Sequence, residues 1–338
     1  MKKITSIAFV FIMGLLTTIQ AQDVKTQQQT ARNFMMQGDY NNAVLVLNKA
    51  LEQAPNNLEI SKDLAMAHFY KSDYPRTQAI IKPLLERKDA DAAVYQIAGM
   101  LYKALADVKE GDRIYKKGLK AFPASGALYN DYGELLWGKD DYSAIKQWEK
   151  GIEVDPSYTA NYYNASRYYY LTQDKVWSIV YGEIFVNMES YSRRTIEVKN
   201  LLLESYKKLF TDADIMAKQD TKNPFVVAFL TNMAKQTSIA AKGITPESLT
   251  MIRSRFILDW FEKDGAKFPF RLFEYQRQLL KEGIFDAYNQ WVFGSVQNLT
   301  AYQNWTSTHS EEFKQFSNAQ TNRLFKITPG QYYQTLAK

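Results

Sequence analysis

Imidazole chemistry in this sequence rests on two residues, His68 and His309, and thiol chemistry has no residue at all, because the 338-residue chain lacks cysteine. Disulfides, Cys-ligated zinc, a thiol nucleophile and a lipid-modified N-terminal cysteine are excluded on that ground. Two isolated histidines do not make a zinc site. His68 falls where a helix is expected to pack its large side chains, so a core role is expected for it. His309 stands beside Thr308, Ser310, Glu311 and Glu312, a solvated helix start. Acids spaced around a central glycine for calcium are absent, and Asp140-Asp141 suits the positive end of a helix dipole. A phosphate-binding loop, a nucleophile elbow and a dinucleotide fingerprint are missing too. A carboxylate pair stays open as a catalytic device, since its separation in space is not written in sequence spacing. No catalytic residue, metal ligand or cofactor is therefore assigned.

The elements that position any other function are helices. Hydrophobic residues make up 46% of the chain and charged ones 23%, proportions of a folded protein. Tyr, Phe and Trp together reach 14%, while 9 Pro and 15 Gly leave little punctuation for a many-turned sheet, so long helices with aromatic packing are expected. The net charge of +6 falls to +4 without Lys2 and Lys3, and the basic groupings Lys116-Lys117 and Arg193-Arg194 are only pairs. Nucleic-acid binding is not expected from so dispersed a charge.

Residues 1–21 have the form of a secretory signal peptide: a positive start at Lys2-Lys3, an apolar stretch from Ile4 to Leu16, and Ala21 before the polar Gln22-Asp23. That stretch is shorter than the roughly 20 residues needed to span a bilayer, and no later segment is apolar over about 18 residues. Cleavage after Ala21 is expected, with a retained N-terminal anchor as the alternative, and a bacterial periplasm is the expected location.

Self-similarity organises the chain from residue 24 onward. Gly38-Asp39-Tyr40-Asn41-Asn42-Ala43, then Leu47, Ala50-Leu51 and Pro55, place small and large residues at fixed offsets within residues 24–57. A weaker copy over 58–91 has Leu64-Ala65, His68, Tyr74, Ile81 and Leu84. A clearer one over 92–125 has Tyr95, Ala98-Gly99, Tyr102, Gly111, Tyr115, Gly118-Leu119 and Pro123. A fourth, 126–158, has Tyr132-Gly133, Trp148, Gly151-Ile152 and Pro156 and is one residue short at its internal turn. A fifth opens at Thr159 with Tyr162, Ala165-Ser166 and Tyr169, and its second half, Ser178 to Ser190, fits poorly. The small residues let two helices approach, and the proline stands where the second helix cannot continue.

This pattern resembles the tetratricopeptide repeat. The resemblance implies an all-α fold, a right-handed superhelix of about five helix-turn-helix units over residues 22–190, followed by a helical C-terminal domain over 191–338 that is either diverged repeats or a cap. In that second part, helices are expected from Thr195 to Leu209, from Thr245-Pro246 to near Gly265, and around 270–281, 285–292 and 311–325. The aromatic stretch Phe268 to Tyr275 is either a core stripe or an exposed docking surface.

In proteins of this family, ligands lie along the face made by the first helix of each repeat. Carried over by position, the face comprises Lys25, Gln28, Arg32, Met35 and Met36 in the first copy, then Lys62, Met66, Phe69 and Tyr70 in the second. Gln96, Met100 and Lys103 follow in the third, Asn130, Glu134 and Trp137 in the fourth, and Tyr163, Arg167 and Tyr170 in the fifth. Methionine and aromatic side chains beside Arg, Lys, Gln and Asn suit an extended polypeptide with apolar anchors. Gln28 and Arg32 stand where some members of the family place residues gripping a C-terminal carboxylate, so that device is not expected. The function implied is a non-catalytic scaffold or adaptor of the bacterial envelope that binds a protein or peptide. Two alternatives are a carbohydrate- or peptidoglycan-binding module with Trp260, Trp291 and Trp305 as stacking platforms, and a hydrolase with acids in the C-terminal half.

Overall fold

The computed structural model describes residues 22–212 and 214–334, and the signal-like segment 1–21 lies outside them. Every regular element among the described residues is helical. Five antiparallel helix pairs come first: α1 (residues 22–36) with α2 (Tyr40–Gln53), α3 (Leu58–Tyr70) with α4 (Tyr74–Leu84), α5 (Ala92–Ala104) with α6 (Val108–Ala121), α7 (Gly126–Trp137) with α8 (Ala144–Val154), and α9 (Thr159–Leu171) with α10 (Lys175–Met188). Then come α11 (Arg193–Leu209), α12 (Pro224–Ala234), α13 (Thr237–Ala240), α14 (Pro246–Lys263), α15 (Arg271–Lys281), α16 (Phe285–Asn289), a π-turn at Gln290–Gly294, α17 (Ser295–Gln297), α18 (Leu299–Thr308) and α19 (Ser310–Asn322). No helix among the described residues is long and apolar enough to cross a membrane. The described residues divide into two compact units on either side of the Pro123–Ala124 junction.

The turn between paired helices repeats to the residue. Gly38, Ser72, Ala106 and Asp140, each 34 after the last, take positive φ of 77°, 59°, 55° and 60°. The next amide along the chain in each case, in Asp39, Asp73, Asp107 and Asp141, donates to a carbonyl five residues back at 2.9–3.0 Å. This closes the first helix of each pair by satisfying one of its free carbonyls. Asp39, Asp73 and Asp107 then accept from the amide three residues on and cap the next helix. In the fourth pair the missing residue is absorbed by the first turn of the second helix: α8 begins at Ala144, three residues past Asp141, where the earlier ones begin one residue past their aspartate.

Close approach within a pair depends on small residues on the first helix. A Cβ on Gly99 would stand 2.2 Å from the Tyr115 ring, and one on Gly133 would stand 2.3 Å from Trp148. His68 is buried and its Nδ1 lies 3.2 Å from the Asp73 carboxylate, the core role expected of it.

The stacking continues past residue 190, for α11 packs along both α9 and α10. Covered by these two helices and by α12, α10 is buried from Lys175 to Val186, which removes the one-sided pattern of an ordinary second helix. Glu183, on α10, holds the centre of the second unit: it is ion-paired with Arg253 of α14 and accepts from Gln276 Nε2 at 2.6 Å and Tyr288 Oη at 2.8 Å, all buried. Beside it, Phe225 is packed among Trp177, Trp260, Phe268, Phe270 and Tyr333, with Tyr333 stacked at 4.8 Å. The aromatic stretch Phe268 to Tyr275 is thus core: Phe268, Phe270, Leu272, Phe273 and Tyr275 are all buried.

The expected helix at Thr245-Pro246 forms as α14, closed by a reciprocal bond pair between Thr245 and Ser248. After α19 the chain runs without helix over residues 324–334 as a strap. Arg271 N donates to Gln331 Oε1 at 2.7 Å, Asn223 Nδ2 to the Tyr333 carbonyl at 2.8 Å, and Gln334 Nε2 to Tyr169 Oη at 2.5 Å.

Candidate partner-binding groove

In the second unit the first helices α7 and α9 and the added α11 lie side by side, and the face they share is hollowed into a cavity of about 350 Å³. Its apolar wall is Trp137, Trp148, Tyr168, Tyr170, Leu171 and Leu201; its polar edge is Asn164, Arg167, Glu197, Asn200 and Glu204. The Trp137 ring is fixed edge-on by Tyr142 at 5.8 Å and Tyr168 at 5.7 Å and packs at 5.9 Å on buried Trp148, whose Nε1 donates to the Asn130 carbonyl. Rings held this way present apolar surface without loss of side-chain freedom on binding.

The polar edge is a ladder with the same 34-residue step. Buried Asn164 donates to Asn130 Oδ1 at 2.9 Å, and Asn130 donates to Glu134 at 3.3 Å. Tyr163 Oη donates to Glu197 at 2.7 Å, and Arg167 pairs with Glu197 at 3.0 Å. Tyr163 also lies under the guanidinium groups of Arg167 and Arg194, each 5.1 Å from its ring centre. Of the residues carried over by position, Trp137, Arg167 and Tyr170 line the cavity, Tyr163 buttresses Arg167, and Asn130 and Glu134 support the floor. The α11 wall was missed, although Glu197, Leu201 and Glu204 each stand 34 residues after Tyr163, Arg167 and Tyr170.

In the first unit the corresponding face is self-paired. Gln28 Nε2 and Arg32 Nε both donate to Asp63, at 2.7 and 2.8 Å, and Arg32 also reaches Glu59 at 3.8 Å. Lys62 is buried, bound to Glu59 at 2.6 Å and to Asp91. Met35 packs against the hydrophobic core of α1–α3, and Met66, Gln96 and Met100 are half-buried, with Lys103 exposed. Phe69 is half-buried against Tyr74, and exposed Tyr70 stacks on Tyr40 at 5.4 Å.

Two carboxyls in the second unit are pushed up to about 7, chiefly by burial. Glu149 of α8 accepts from Tyr169 Oη at 2.5 Å, and Asp174 caps α10. The Asp174 charge raises the proton affinity of Glu149 further, yet Glu149 lies behind Tyr169 and Gln334 of the strap, and neither residue lines the groove. Trp260 and Trp291 are buried and offer no stacking face to a sugar, while half-buried Trp305 has one face covered by the His309 ring at 4.4 Å.

Residues 34–101 match the family model of the tetratricopeptide repeat. No curated protein matches the chain. Among solved structures, a Pseudomonas aeruginosa PilF protein aligns at 15% identity with a TM-score of 0.48, covering 59% of this chain and 89% of its own. A tetratricopeptide repeat protein from Parabacteroides merdae aligns at 13% identity with a TM-score of 0.41, covering 71% of this chain and 92% of its own.

Proposed function

From a chain that carries tetratricopeptide repeats, repeats that generally mediate protein interactions, we propose a non-catalytic scaffold that holds a polypeptide segment in the groove of α7, α9 and α11. The observation that carries this is the open cavity of about 350 Å³ with pre-fixed Trp137, Tyr168 and Tyr170 on one side and Arg167 and Asn200 on the other. Aromatic anchors in a pocket rimmed by polar groups are the arrangement that concentrates binding energy at protein interfaces. The scaffold belongs to the bacterial envelope, exported to the periplasm by residues 1–21, a location supported by the basic start, apolar stretch and Ala21 of that segment.

A photo-crosslinking amino acid tests this in the native cell. Placed at Tyr170 in the groove it is expected to trap a defined polypeptide, whereas at exposed Lys146 on α8 it is expected to trap none. Equal trapping at both positions would move the binding surface away from the groove. Fractionation of the same cells locates the adducts, and adducts found only in the cytoplasm would end the envelope assignment.

A further inference from the structure

The groove does not stop at its aromatic wall. Tyr170 and Leu171 also line a second cavity of about 390 Å³, whose other walls come from the start of α10, the end of α11 and residues 211–212 and 214–219. Two ammonium groups converge there on the Tyr170 ring, Lys208 Nζ at 3.7 Å from its centre and Lys175 Nζ at 5.6 Å. The Lys175 side chain is buried, and its ammonium donates to the carbonyls of Tyr170, at 2.8 Å, and Thr172. An ammonium has three donors, so one is left.

Among the described residues neither lysine is ion-paired. The acids nearby hold other partners: Asp212 and Asp214 line the same cavity, Asp212 lying 3.8 Å from Lys218 and Asp214 accepting from Met216 N at 2.9 Å, while Asp174 accepts from Val176 N at 3.2 Å and acts on Lys175 only through its charge. Burial first, and the neighbouring Lys208 second, push the Lys175 ammonium down to about 8, against the opposing pull of the Asp174 charge.

We propose that Lys175 and Lys208 form a carboxylate-binding subsite at the end of the aromatic groove, so that the bound segment carries an aspartate or glutamate side chain close to its apolar anchor. A carboxylate there gains charge-assisted hydrogen bonds and relieves the repulsion of the two ammonium groups. The cavity is as roomy as the groove itself, so the bound chain runs on past the acid and the carboxylate is a side chain rather than a terminus. This rests on the groove being the partner site.

Selection from a random dodecapeptide library against the purified full chain is the test, with each peptide fused at its C-terminus so that no free terminal carboxylate is present. Against the unaltered protein, aromatic or leucine anchors are expected to be enriched together with Asp or Glu within three residues. Against Lys208→Glu the anchors are expected to persist while the acids disappear. A synthetic enriched peptide is expected to lose about tenfold in affinity when its acid becomes the amide, read by isothermal titration calorimetry, and to lose nothing further on Lys208→Gln. Anchors enriched without acids, or acids enriched equally against Lys208→Glu, would overturn the subsite and leave the groove standing. No enrichment, or the same peptides selected by Trp137→Ala, would remove the groove and the subsite with it.

Discussion

The first-helix faces of the two units share a spacing of 34 residues, shortened by one between α7 and α9, and carry opposite chemistry. In residues 22–123 the polar groups of that face satisfy one another: Arg32 and Gln28 converge on Asp63, and Lys62 is buried between Glu59 and Asp91. In residues 124–334 the same positions hold Trp137, Arg167 and Tyr170, and a third helix, α11, walls in a cavity. Repeat spacing decides where side chains point, and their identities decide whether the face is closed on itself or left open as a cavity. The second helices differ in the same way. α2 and α6 bury one side only, while α10 is enclosed and contributes Glu183 to a buried network of Arg253, Gln276 and Tyr288.

The widest gap between the units lies in their ion pairs. Arg253→Met leaves Glu183 buried without its cation and is expected to cost about 3–5 kcal/mol, with most of the loss recovered by the double change Arg253→Met/Glu183→Met. Lys62→Met, whose partners Glu59 and Asp91 are about half exposed, is expected to cost about 1 kcal/mol or less. All six tryptophans, Trp137, Trp148, Trp177, Trp260, Trp291 and Trp305, lie in the second unit, so tryptophan fluorescence in a denaturant titration follows that unit alone. Arg253→Met is expected to move the fluorescence transition and Lys62→Met to leave it in place. A shared shift would mean the two units unfold as one.

A smaller effect comes from the buried carboxyls. Glu149 and Asp174 keep their protons up to about 7 in the folded chain, while in the unfolded chain they release them in the usual carboxylate range. The folded state therefore binds more protons, and stability is lost as pH rises from about 4 through 7. The loss is expected to reach about 3 kcal/mol for Glu149, and Glu149→Gln is expected to reduce the slope of the fluorescence-detected profile between pH 5 and pH 8 to the part contributed by Asp174. An unchanged slope would show that the carboxylate is better solvated than its place behind Tyr169 and Gln334 implies.

The legible part of the sequence was the part that repeats. The helix pairs, the turn at Gly38-Asp39 and the proline-capped start of α14 arise from local rules that each segment obeys by itself. The groove was legible as far as positions on first helices, which reach Trp137, Arg167 and Tyr170. The α11 wall was not seen, because Arg193–Leu209 keeps the groove positions while lacking the small residues that mark a repeat. α10 fitted poorly because a helix covered on all sides loses the amphipathic pattern by which second helices are recognised. α12 and α18 were missed as well. Pro224–Ala234 is nearly all apolar, and Leu299–Thr308 buries no residue, so neither shows the one-sided pattern that reveals a helix. Lys175 and Lys208 lie outside first-helix positions altogether and meet only through the Tyr170 ring.

The recurring turn allows the last and smallest comparison. The left-handed position is glycine only at Gly38; Ser72, Ala106 and Asp140 adopt the same backbone with a side chain attached, which is disfavoured by roughly 1 kcal/mol for an L-residue. Asp140 has a short polar side chain, which suits the left-handed region better than alanine does, so Ala106 bears the larger strain. Ala106→Gly is therefore expected to stabilise the first unit by about 0.5–1 kcal/mol, offset in part by the greater freedom glycine gives the unfolded chain. The first unit has no tryptophan, so far-UV circular dichroism is the measurement, with fluorescence of the second unit as the internal reference. Gly38→Ala is expected to act with the opposite sign at the equivalent turn. If both changes destabilise, the positive φ at Ala106 is held by contacts of its own rather than by the closing bond from Asp107 N to the Tyr102 carbonyl.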